Sequence, residues 1–261
     1  MFESLRSVRS STLGFIMLAA TLGYSSTAGA VLMLSADVNG TSFQAIDNGA
    51  GDTDPTVGVL ALNPTTVAGL VVLGSVHTSL HGPENVLSSS SLSITNISGL
   101  ARSARVVIGD TDYEGPVTTA STSGSGTFTL AAGSSIDRFF YNDPANAQGA
   151  ENIGDTPGNL IDSGSFTAVG PVSSFSQNGG PFTVDDPDLF SMTIAFNLDL
   201  VAGGAACSAA NPRACPALIS RGQAEIKPQE QVGVPEPGTL TMLAAGLLAF
   251  GAFASRRRRT G

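Results

Sequence analysis

The 261-residue chain has no tryptophan, only two histidines and two cysteines, and a single lysine. Each shortage removes a class of function. With Tyr113 and Tyr141 the only tyrosines of the central body, there are few aromatic platforms on which to stack a sugar chain, so a glycoside hydrolase cleft is poorly provided for. Two cysteines are too few for structural zinc, and they lack the CxxC spacing of a redox pair. His77 and His81 have the four-residue spacing of a helical metal pair, but Thr78, Ser79, Gly82 and Pro83 oppose a helix and no Glu follows the first His. No GxSxG nucleophile elbow occurs. Cations are scarce as well: Val31 to Gly238 holds twenty Asp and Glu against five Arg and one Lys, net −14, where the whole chain is −9. Without a basic stripe to displace counterions, nucleic acid is excluded as a partner. These absences together set the expectation that the chain is not an enzyme.

The body contains short alternating runs. Phe190, Met192, Ile194, Phe196, Leu198 and Leu200 are apolar at every second position, with Ser191, Thr193, Ala195, Asn197 and Asp199 between them. That period predicts a strand with one face in a core and the other in solvent. Shorter runs of the same kind are Val31 to Ala36, Thr41 to Ile46, Val57 to Leu62, Leu70 to Val76, Ser91 to Ile97, Ala104 to Gly109, Gly126 to Ala131, Ile136 to Tyr141, Ser163 to Val169 and Val172 to Ser176. Turn residues separate most of them, among them Val38-Asn39-Gly40, Asp47-Asn48-Gly49 and Asn178-Gly179-Gly180. With no long 3.6-periodic segment before the C-terminal tail and no fixed repeat, the pattern predicts an all-β fold, an antiparallel β-sandwich of either jelly-roll or immunoglobulin-like topology. Asp143 to Asn159 reads as a long surface loop, and Arg221 to Val234 as an edge strand running into an extended, proline-stiffened spacer.

Two features of the body concern chemistry. Cys207 and Cys215 flank an Asn211-Pro212 turn, and outside the inner membrane a local disulfide is expected, contributing roughly 2 to 3 kcal/mol. Asp47, Asn48, Asp52 and Asp54 gather oxygens in a glycine-broken loop, as a hard cation such as calcium requires; Asp110 with Asp112, or Asp185, Asp186 and Asp188, would supply a second site or complete the first. The same residues also cap turns through their own backbone, which needs no cofactor, and both readings stay open. Hydroxyl-rich stretches, Ser88 to Ser93 and Thr118 to Thr127, suit a surface that stays soluble in polysaccharide.

The two ends of the chain carry targeting features. Arg6 and Arg9 precede an apolar run, Thr12 to Tyr24, and Ala28-Gly29-Ala30 supplies a small-x-small site, so residues 1–30 read as a signal peptide cut by signal peptidase after Ala30. At the other end come Pro235-Glu236-Pro237, an uncharged stretch from Gly238 to Ser255, and Arg256, Arg257, Arg258 and Arg259. As a helix the stretch would be about 25 Å long, a little short of the bilayer core, with the arginines on the cytoplasmic side. This closely resembles the PEP-CTERM sorting signal of Gram-negative exported proteins.

The resemblance implies cleavage by an exosortase at or near Pro235-Glu236-Pro237, transient residence in the inner membrane and delivery to the cell surface or extracellular matrix. The body is similar, more loosely, to the all-β ectodomains that precede such signals, through Ile46-Asp47-Asn48-Gly49-Ala50-Gly51-Asp52 and Asp110-Thr111-Asp112-Tyr113. The expected organisation is a signal peptide (1–30), a β-sandwich ectodomain (31–227), a spacer (228–234) and a sorting signal with one transmembrane helix (235–259). The expected role is structural or adhesive, with exopolysaccharide or in a biofilm; a calcium-dependent carbohydrate- or protein-binding module is the alternative.

Overall fold

The structure, a computed structural model, describes residues 31–79 and 84–228. Ala28, Ala30, His81, the 229–234 part of the spacer, Pro235 to Pro237 and Arg256 to Arg259 lie outside the described residues. Twelve strands form two antiparallel sheets: β1 (Met33–Val38), β2 (Thr41–Ile46), β3 (Val59–Val67), β4 (Leu70–Ser79), β5 (Asn85–Asn96), β6 (Arg102–Tyr113), β7 (Val117–Thr129), β8 (Ser135–Asp143), β9 (Asn159–Thr167), β10 (Val172–Asp186), β11 (Phe190–Leu200) and β12 (Ala217–Pro228). The sheet orders are β2-β1-β6-β11-β8-β9 and β10-β7-β12-β5-β4-β3.

Strand order selects between the two expected topologies. From β5 onward the chain passes back and forth between the sheets, except for the β8-β9 hairpin, so that β5-β12-β7-β10 faces β6-β11-β8-β9, the double Greek-key order of a jelly roll. Two hairpins widen it: β1-β2 adds to β6, and β3-β4 adds to β5. The β1-β2 turn is the expected Asn39-Gly40 pair, with φ of 50° and 83°, the left-handed values a two-residue hairpin needs.

Between the sheets the alternating apolar residues interlock. Phe190, Met192, Ile194, Phe196, Leu198 and Leu200 of β11 all point inward and are buried, against partners such as Leu87, Ile94, Phe128 and Leu218 from the other sheet. Burying side chains of this size contributes about 1.5 to 3 kcal/mol each. Phe128, Phe166 and Phe175 form an aromatic knot with ring centroids 5.0 to 6.4 Å apart.

Several expectations need correction. The outward residues Ser191, Thr193 and Ala195 of β11 are buried as fully as the inward ones. The 144–158 segment causes this: it folds back over the outer face of the first sheet as a third layer. Its Ala150 joins Met33, Val107 and Ala195 in a second apolar cluster, with Phe139 and Tyr141 packed against it. The segment expected to be a surface loop is therefore buried at its middle. Arg221 does not lie on an edge strand, since β12 is central, paired with β7 on one side and β5 on the other. Asn178-Gly179-Gly180 is not a turn but the interior of β10. Strand β7 runs through the whole Thr- and Ser-rich stretch from Val117, well before the expected Gly126.

Candidate functional site

The acidic loop is the first place to look for a site. Asp52 Oδ1 accepts the amides of Asp54 and Ala61 at 3.0 and 2.9 Å, and Oδ2 accepts the Asn48 amide at 2.9 Å. Asp47 Oδ2 accepts the Gly58 amide at 2.7 Å, and Asp54 Oδ1 that of Thr56 at 2.9 Å. Burial pushes the Asp52 carboxyl up, but these backbone donors together outweigh it and hold it below the usual value. The loop thus brings the four candidate residues together, and most of their oxygens brace the backbone. Among the described residues no group of three or more His, Cys, Asp or Glu is placed to hold a metal ion.

The other acidic candidates serve different contacts. Asp112 and Asn146 clamp β6 to the covering segment: Asn146 Nδ2 donates to Asp112 Oδ1 at 2.7 Å, and the Asp112 amide donates to Asn146 Oδ1 at 2.9 Å. Asp186 Oδ2 accepts from Asn142 Nδ2 at 2.7 Å across the two sheets. Asp110 points inward and is fully buried, with Oδ2 unpartnered. Burial pushes its carboxyl up to about 7, and the nearby charges of Asp47 and Asp112 add to that push. Asp185 and Asp188 are exposed. Cys207 and Cys215 are joined as a disulfide.

A second arrangement, on the outer face of the β10-β7-β12-β5-β4-β3 sheet, is more suggestive of a ligand. The hydroxyl-rich runs of β5 and β7 flank β12 on either side, so alternate residues of three adjacent strands meet solvent together. Register aligns Asn178, Ser123, Gln223, Ser88 and His77 in one row across five strands. The next row holds Ser176, Ser125 and Arg221. The face is hollowed into a groove of about 330 Å³, lined by Ser88 to Ser90, Ser123 to Ser125 by way of Gly124, Ser176, Asn178 and Arg221 to Gln223 by way of Gly222. No carboxylate, histidine, cysteine or aromatic ring is in that lining.

Beneath the groove floor lies a buried cation. Arg138 of β8 is 3% exposed and crosses the core with its guanidinium over the Phe140 and Phe175 rings, 5.7 and 5.8 Å from the centroids. Its Nη2 donates to Gln177 Oε1, and Nη1 has no partner. A Cβ at Gly124, in the groove floor, would collide with that Nη1, and a Cβ at Gly164 would collide with Gln177. Two glycines therefore admit the cation. Asp162, which accepts the Thr122 hydroxyl, is the opposite charge that acts on it.

Sequence reasoning found the hydroxyl-rich runs but missed Arg221, Gln223 and Arg138. Polar alternation from Arg221 to Lys227 was the signal available for the first two. A lone Arg in an otherwise apolar alternation, Ile136, Arg138, Phe140, was the signal for the third.

Fold and groove define a two-sheet all-β domain with one face left open to solvent. The C-terminal region supplies the further element: residues 233–259 match the family described as the PEP-CTERM protein-sorting motif. The chain carries that motif, which implies export, membrane-anchored passage before release and processing by exosortase. Among the described residues no helix is long and apolar enough to cross a membrane.

No curated protein matches the chain. Among solved structures, TmCBM61 in complex with β-1,4-galactotriose is similar at 9% identity, covering 61% of this chain and 89% of that one, with a TM-score of 0.31. The family 11 carbohydrate-binding module from Clostridium thermocellum, in complex with a β-1,3-1,4-mixed-linked tetrasaccharide, is similar at 10% identity over 67% and 99%, TM-score 0.26. The infectious bursal disease virus Gx strain structure is similar at 15% identity over 84% and 53%, TM-score 0.25. Likenesses this distant do not bear on function.

Proposed function

We propose that the protein is a non-enzymatic component of the cell surface or extracellular matrix, whose sandwich domain binds exopolysaccharide through the open face of its second sheet. The role is structural or adhesive, as in a biofilm. The observation that carries this reading is the in-register array of hydroxyl and amide side chains around a groove: such groups exchange hydrogen bonds with sugar hydroxyls at little cost. The absence of a titratable acid or base from the groove lining favours binding over catalysis. Signal peptidase would remove residues 1–30, and exosortase would cut at Pro235-Glu236-Pro237, with Arg256 to Arg259 holding the precursor in the inner membrane beforehand.

The test is to recover the protein from the surface fraction of its host, measure its intact mass and ask whether it sediments with the exopolysaccharide. The expected chain begins at Val31, ends near Pro237 and co-sediments. A chain that keeps residues 239–261 and stays in the inner membrane overturns the matrix role. Calcium separates the alternative: a ligand held only by the folded state raises the melting temperature by mass action, so a calcium-dependent module must melt higher when calcium is added. With Asp47, Asp52 and Asp54 already holding backbone amides, no shift is expected.

A further inference from the structure

The groove is free of acids in a body that is full of them. The described segment begins at Val31 and ends at Pro228, both at the same end of the sandwich, and many carboxylates collect there: the Asp47 to Asp54 loop, Asp110, Asp112, Asp143 and Asp186. The single lysine is also there, paired with Glu84 and Glu225 at 3.0 and 2.7 Å. Arg221, by contrast, is exposed at the groove and makes no ion pair among the described residues. A second guanidinium, that of Arg138, lies under the Gly124 floor with one nitrogen unpartnered and nearly all of its surface buried. A buried charge is screened much less than an exposed one, so it adds to the positive potential in the groove. Asp162 offsets part of that charge, but it faces Thr122 between the sheets and is not in the groove lining.

We infer that the groove is a subsite for a carboxylate-bearing sugar, so that the polymer this face takes is an acidic polysaccharide containing uronate residues. The inference rests on the glycan-binding reading above and names its chemical class. A guanidinium presents a planar fork of donors that matches a carboxylate with two parallel hydrogen bonds, which a lone ammonium cannot reproduce. Arg221 supplies that fork. Ser123, Ser125, Ser88 and Gln223, on the strands beside it, supply donors and acceptors for the ring hydroxyls. The volume is at the small end of the range for small-molecule sites, roughly 300 to 1,000 Å³, and suits about one or two sugar rings. With no aromatic ring in the lining to stack on, charge supplies a large share of the affinity, and binding is accordingly sensitive to salt.

The experiment compares binding of the processed, full surface-fraction protein to polygalacturonate and to the same polymer with its carboxylates methyl-esterified, at low and high salt. The expected result is binding to the free acid, at least about tenfold weaker binding to the ester, and a comparable loss for Arg221→Gln on the free acid only. Arg221→Lys keeps the charge but not the fork and should recover only part of the affinity. Because Arg221 is exposed, its variants should melt with the parent protein, and that melting curve establishes that a loss of binding is not a loss of folding. Equal binding to acid and ester, unmoved by Arg221→Gln, overturns the acidic-sugar inference and leaves the polysaccharide reading standing. Binding to neither polymer, nor to the host's own exopolysaccharide, overturns both.

Discussion

The two outer faces of the sandwich come from the same kind of alternating strand, yet one is covered and the other bare. On the β2-β1-β6-β11-β8-β9 sheet the outward positions include Met33, Val107, Phe139, Tyr141 and Ala195, and the 144–158 segment lies across them with Ala150 fully buried. On the other sheet the corresponding positions of β5, β7 and β10 are mostly Ser, Thr and Asn, and among the described residues no segment covers them. Apolar outward residues make a covering layer favourable, because burying them removes hydrocarbon from water. Hydroxyls are already satisfied by solvent and gain little from a cover. A ligand can therefore reach the protein on one face only of the two: the covered face makes its contacts with its own chain, and the bare one has them available.

The covered face depends most sharply on Gly109 of β6. A Cβ there would meet the Gly149 backbone at 2.5 to 2.7 Å, and backbone cannot rotate away as a side-chain tip can. Gly109→Val should push the covering segment off its sheet and lower stability by roughly 3 kcal/mol or more. Urea unfolding gives the loss, and dye binding reports the uncovered apolar face. A small loss, with the 150–155 amides still protected from exchange, would mean that the segment is not pinned at this contact.

One residue further along β6, the chain turns the other side of the sheet, and Asp110 tests the interior of the covered half. Its carboxyl is raised by burial to about 7 in the folded state, against 3.8 for the unfolded chain. Between those values the folded protein holds a proton that the unfolded chain has released, so this group's contribution to stability falls as pH rises through the window and is flat above it. Asp110→Asn removes the titration. The variant should be more stable than the parent by up to about 4 kcal/mol well above pH 7, with the difference shrinking to nothing near pH 4. Paired urea curves across that range check the slope. A variant less stable than the parent at every pH would show that the carboxylate is partnered when ionised.

Where local pattern determines structure, the sequence was informative. Strand β11 was legible because six apolar residues at period two leave no other reading, and the Asn39-Gly40 hairpin because only residues that tolerate left-handed φ fit a two-residue turn. Strand β7 was only partly legible. Its inward positions include Thr122, Gly124 and Gly126, since Arg138 and Phe175 from other strands occupy the space a larger side chain would need. Gly179 misled for a related reason: it looks like a turn glycine, but a Cβ there would run into Asp162 and Thr122. The central place of β12 is a long-range pairing with β5 and β7 that no local pattern records. At the acidic loop the composition was right for a cation, and only the geometry showed that most of its oxygens accept backbone amides.

The smallest expected effect compares serine with serine on the two faces. On the covered face the hydroxyl of the buried Ser191 donates to the Ala147 carbonyl at 2.6 Å. Ser191→Ala leaves that carbonyl without its donor and should cost about 1 to 2 kcal/mol, with no effect on polysaccharide binding. On the open face Ser123 and Ser125 flank Gly124 and neither side chain holds a hydrogen bond among the described residues. Replacing both by Ala should change stability by no more than about 0.5 kcal/mol while weakening binding severalfold. Urea unfolding and polysaccharide co-sedimentation on the same preparations read both quantities. If the double variant binds as the parent does, the hydroxyl rows are ordinary solvent-facing surface and the functional difference between the two faces disappears.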